Sequence, residues 1–100
     1  MNEDRASVLK TIGVGTFGEG PSGKTTERLF RVEPGHSAGF VLEQAALLMG
    51  CVSKLTYQVM IEEDEAMTCA AHFLSGMAKA LVEDLETANK SPGLVETSLP

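Results

Sequence analysis

Tryptophan is absent, tyrosine occurs once and phenylalanine four times. With so few aromatics, 100 residues at 43% apolar content support one small domain at most. Cysteine occurs twice, which allows no more than one disulfide. Basic residues are outnumbered, eight against fourteen acids, and the formal net charge of -6 opposes attachment to phosphate backbones or anionic lipid surfaces. Nucleic acid and membrane are therefore not expected partners. No long apolar run exists: the longest, Ala45 to Val52, counts Gly50 and falls well short of the roughly 18 residues that span a bilayer. The first ten residues, MNEDRASVLK, place acids where a secretory signal needs positive charge. The expectation is a cytoplasmic protein.

What is present is one dominant stretch, Ser37 to Met60. Val41, Ala45, Leu48, Val52, Leu55 and Val59 recur in steps of four and three, which lays them along one side of a helix. Phe40, Leu47, Cys51 and Met60 widen that side, and Glu43, Lys54 and Gln58 leave only a narrow strip that prefers water. A helix apolar over most of its girth is buried on more than one side.

Residues 1–25 mix acids, Gly, Ser and Thr with no helical or strand period, and Gly13, Gly15, Gly18, Gly20 and Gly23 punctuate them closely. Such a segment buries too little apolar surface to offset its ordering entropy and is expected to be a flexible arm. Within it, Gly18 to Thr25 matches the phosphate loop G-x-x-x-x-G-K-[ST]. That loop works by wrapping backbone N–H groups around phosphate at a helix N-terminus, with a buried strand before it and a long helix after it. Only Thr26 to Glu33 separates the motif from Pro34, and no apolar run elsewhere ends in an acid. The match is one of composition.

Phe30 and Val32 alternate with charged neighbours, which predicts a short strand that Pro34-Gly35 stops. A lone strand has no mate in the chain and is expected to pair with its own copy in a second subunit or to lie along the helices. His36 or Ser37 then precedes the first helical turn.

Ile61 to Glu65 is the break between two helical patterns. Its acids suit the positive end of the next helix, and with no Gly turn to space oxygen ligands the segment does not read as a Ca²⁺ loop. The second helix, from about Asp64 to about Asn89, has an apolar seam of Met67, Ala70, Leu74, Met77, Leu81 and Leu85. Opposite runs a polar stripe of Glu65, Thr68, His72, Ser75, Lys79, Glu83 and Glu86. Ser91-Pro92-Gly93 ends it, and 91–100 is expected to be a loose tail.

A short connection makes the helices antiparallel, which offsets Cys51 and Cys69 by about 7 Å along the axis. That is too far for a relaxed disulfide, and two reduced thiols are expected. Cys69 and His72 supply two ligands where a zinc site needs three or four, and His72 falls on the polar stripe. His36 has no nucleophile at any recognisable spacing, and paired carboxylates in an apolar setting are missing. No catalytic, cofactor or metal residues emerge, and the expectation is a non-enzymatic protein.

Phe30-Arg31-Val32-Glu33-Pro34-Gly35, a helix carrying Leu42, Ala45, Leu47, Leu48 and Leu55, and the ending Met77-Ala78-Lys79-Ala80-Leu81-Val82 together resemble a family of short pseudomonad proteins of unknown function. The resemblance covers about residues 29–86 and leaves the N-terminal arm outside. It implies a bacterial cytoplasmic protein and carries over no activity and no site.

The fold expected is mainly α: a flexible arm over 1–25, a short strand plus antiparallel helical hairpin over 26–90, and a tail. A hairpin buries only the facing stripe of each helix, so two copies are expected to form a four-helix bundle. The expected interface is Phe30, Val32, Phe40, Leu47, Leu48, Cys51 and Leu55. Functionally this reads as an interaction or regulatory module acting as a homodimer. It would offer its acidic connection, its His72/Lys79 stripe or its arm to a further protein partner. The alternative is a carrier or sensor of a small apolar ligand held between the helices by Met49, Met60, Met67 and Met77.

Overall fold

Two helices of 25 residues each, α1 (Ala38–Glu62) and α2 (Glu65–Asn89), form the antiparallel hairpin that the periodicity predicts. The computed structural model describes residues 9–18 and 28–90. Ahead of the hairpin lie two short strands, β1 (Thr16–Phe17) and β2 (Phe30–Arg31), which pair antiparallel with Thr16 opposite Arg31 and Phe17 opposite Phe30.

The helix ends follow local chemistry. Ser37 caps α1, its Oγ accepting from the Phe40 N–H at 3.4 Å. Glu63 closes α1 in the left-handed region at φ 54°, donating its N–H to the Val59 carbonyl. Asp64 immediately caps α2, and its Oδ1 accepts from the N–H groups of Ala66 (2.8 Å) and Met67 (3.1 Å). Two residues thus reverse the chain, and the acid run between the helical patterns works as a cap.

The arm departs from expectation. Residues 9–18 run antiparallel to 28–38 as a ladder: Leu29 N–H donates to Gly18, Val32 N–H to Gly15, Gly35 N–H to Thr11, Thr11 N–H to His36, and Ala38 N–H to Leu9. Thr11 is buried, and its Oγ1 both donates to the Glu33 carbonyl (2.7 Å) and accepts from the His36 N–H (3.0 Å), fixing the Pro34-Gly35 turn from beneath. The strand at Phe30 therefore pairs within its own chain, not with a second copy. The remainder of the expected arm (1–8 and 19–25) and the tail 91–100 lie outside the described residues.

The second correction concerns α2. Besides the seam facing α1, it sets a row at intervals of four, the half-buried Gly76 and the buried Ala80 and Asp84, against the ribbon. The expected division into one buried and one wet side missed this row. Phe17 lies over Gly76, stacks on Phe30 with ring centroids 4.7 Å apart, and meets Phe73 edge-on at 6.1 Å.

The core sits at one end. Ala38, Val41 and Leu85, with Leu9 and Leu81 packed against them, form its centre, and Ala45, Ala78, Ala80 and Ala88 complete it. From Ala46 round the turn to Met77 no residue is fully buried, and the seam there (Leu48, Val52, Leu55, Val59, Met67, Ala70, Leu74) is half-buried.

Candidate functional site

Two features stand out: a buried carboxylate that fastens the ribbon, and the apolar surface left bare beyond it.

Asp84 has 0% of its surface exposed and is the largest fully buried side chain. Its Oδ2 accepts the Ile12 N–H at 2.7 Å, and its Oδ1 accepts those of Val14 (2.6 Å) and Gly15 (2.7 Å). Gly13 makes this convergence possible: its φ of 84° bends the backbone so that the neighbouring N–H groups face one point, a nest for an anion. Gly15 lets the strand approach, since a Cβ there would lie 2.2 Å from the Ala80 carbonyl oxygen. Burying a charge is costly unless it is hydrogen-bonded, and three backbone donors meet that requirement. Sequence reasoning did not single out Asp84. The available signal was its place on the helix, within the Leu81, Leu85, Ala88 sector where a charge is out of keeping with its neighbours.

The ribbon, α1 and α2 enclose an open groove of about 360 Å³, lined mainly by apolar atoms of Phe17, Phe30, Val32, Leu48, Met77 and Leu81. Of the seven expected interface residues, Phe30, Val32 and Leu48 line this groove. Phe40, Leu47 and Cys51 are exposed on α1, and Leu55 is half-buried in its seam. The four methionines expected around a ligand do not come together: Met77 lines the groove, Met67 is half-buried elsewhere on α2, and Met49 and Met60 are exposed on α1.

Cys51 and Cys69 are free thiols, both exposed. His72 is exposed with its ring beside Phe73. Among the described residues no three His, Cys, Asp or Glu side chains cluster in a way that could hold a metal ion. Of the phosphate-loop match only Gly18 is described, directly after β1; the rest of the motif lies outside the described residues.

A family model with the description "Protein of unknown function (DUF3077)" matches residues 11–88. The match begins at Thr11, so the ribbon strand that the sequence resemblance left out is part of the family's domain. No curated protein and no solved structure matches the chain.

Proposed function

The chain belongs to the DUF3077 family, and from that premise we propose that it is a small cytoplasmic interaction module, non-enzymatic, acting as a homodimer in which two hairpins make a four-helix bundle. One observation carries the reading: from Ala46 round the turn to Met77 the hairpin has no fully buried residue. Apolar side chains such as Leu47, Tyr57, Met60 and Ile61 stand exposed on it. Exposed apolar side chains in this number suit an interaction surface, and two-fold association is the commonest way to cover it.

By length and composition α1 could also cross a membrane. Glu43 and Lys54 lie within it, and a Lys at the centre of a spanning helix costs about 2.5 to 3.5 kcal/mol. A helix packed on another in water can pair both charges with charges of the opposite sign, which favours the bundle.

The groove beside Phe17, Phe30 and Met77 supports a second reading, a carrier of a small apolar ligand, because an apolar hollow of about 360 Å³ lies within the size range of ligand pockets. Native mass spectrometry of freshly purified protein separates the two. The module reading expects a species of twice the chain mass with nothing added. A monomer with extra bound mass would overturn it in favour of the carrier.

A further inference from the structure

Ahead of its last residue, α1 carries two charges, Glu43 and Lys54, both exposed and neither ion-paired among the described residues. They stand eleven positions apart, which at 3.6 residues per turn returns Lys54 to within about 20° of the side Glu43 occupies. On that same side, between them, lie Leu47, 63% exposed, and Gly50, where an added Cβ would meet nothing among the described residues within 4 Å. Outside them lie Phe40 and Tyr57, 51% and 63% exposed. Each of the three pairs, Leu47 with Gly50, Glu43 with Lys54 and Phe40 with Tyr57, is centred on the same point of the helix, between Leu48 and Met49.

A surface whose acid matches its base, whose projection matches its notch and whose aromatic matches its aromatic about one central point is complementary to itself turned end for end. We propose that α1 packs antiparallel on the α1 of a second copy about a two-fold axis passing between Leu48 and Met49. Glu43 then faces the partner's Lys54 and Leu47 sits over the partner's Gly50, with Phe40 and the partner's Tyr57 at one height on opposite edges of the contact. An isologous interface repeats every contact twice, so two ion pairs form. Parallel packing would set acid beside acid and base beside base, which disfavours it. Gly50 is explained on the same terms. Among the described residues of its own chain nothing approaches it, and glycine is a poor residue for a helix interior, whereas a bare backbone there gives a facing leucine room to enter.

This inference rests on the self-association proposed above and adds its orientation and register. Sedimentation equilibrium of the full chain at low salt tests it with Glu43→Lys, Lys54→Glu and the double variant. Each single reversal replaces two attractions by two repulsions and is expected to weaken dimerisation about tenfold. The double variant restores the pairing with signs exchanged and should return within about threefold of the parent. An equimolar mixture of the two single variants should form mixed dimers more tightly than either forms alone. A dimeric parent whose affinity ignores the single reversals, or a double variant no tighter than the singles, overturns the register and leaves self-association standing. A parent that is monomeric throughout overturns both.

Discussion

Asp84→Ala is expected to cost about 3 to 5 kcal/mol and to release the strand at residues 9–18 from α2. The carboxylate accepts three backbone N–H groups, from Ile12, Val14 and Gly15. An unsatisfied buried donor costs about 1 to 3 kcal/mol, and the low end of the summed range applies because only the Gly15 bond is fully buried. A small domain is stabilised by little more than that total, so the variant is expected to be unfolded or nearly so at ambient temperature. Urea denaturation followed by circular dichroism, at fixed protein concentration so that association is held constant, reads the loss. Asp84→Asn keeps the shape but turns an amide NH₂ toward at least one backbone donor, and should fall between the parent and the alanine variant. A loss below about 1 kcal/mol for Asp84→Ala would contradict the assigned role.

Gly15→Ala is expected to be nearly as severe, for a steric reason. The new Cβ would lie 2.2 Å from the Ala80 carbonyl oxygen and 3.0 Å from the Asp84 Cβ. Both belong to α2, whose backbone cannot yield without breaking its own hydrogen bonds. The strand must lift instead, and the Val14 and Gly15 bonds to Asp84 go with it. The expected loss is about 3 kcal/mol, from two buried or part-buried donors left unpaired. Because both substitutions undo the same attachment, the double variant should be far less destabilised than the sum of the two. Gly76→Ala is the control. Its Cβ would meet the Phe17 ring edge at 2.9 Å, a side chain that can swing aside, and alanine is worth about 1 kcal/mol more than glycine inside a helix. Denaturation midpoints should place Gly76→Ala near the parent and Gly15→Ala well below it.

The hairpin was legible in the sequence because its signals are local: the steps of four and three from Val41 to Val59, the polar break at Glu62 to Asp64, and Pro92-Gly93 beyond the second pattern. The ribbon was not, because Gly13, Gly15 and Gly18 interrupt the strand-favouring Thr11, Ile12, Val14, Thr16 and Phe17. Their order comes from a carboxylate about 70 positions away and from Thr11, which holds both sides of the Pro34-Gly35 turn. A glycine-rich segment reads as flexible when its glycines are taken as punctuation. Here Gly13 supplies a positive φ and Gly15 a close approach, and both meanings exist only once α2 stands beside them. Asp84 was overlooked for a related reason, since one acid in the run Glu83-Asp84 looks like solvated surface until the strand covers it. The breadth of apolar surface on α1 was legible, and the ribbon covers only its first turn, where Leu9 packs against Ala38 and Val41.

That incomplete cover is the ground for a second copy, and the solution mass of the full chain tests it most directly. The account predicts that sedimentation equilibrium at micromolar concentration returns twice the chain mass of 10.6 kDa. A mass of 10.6 kDa across that range would contradict it.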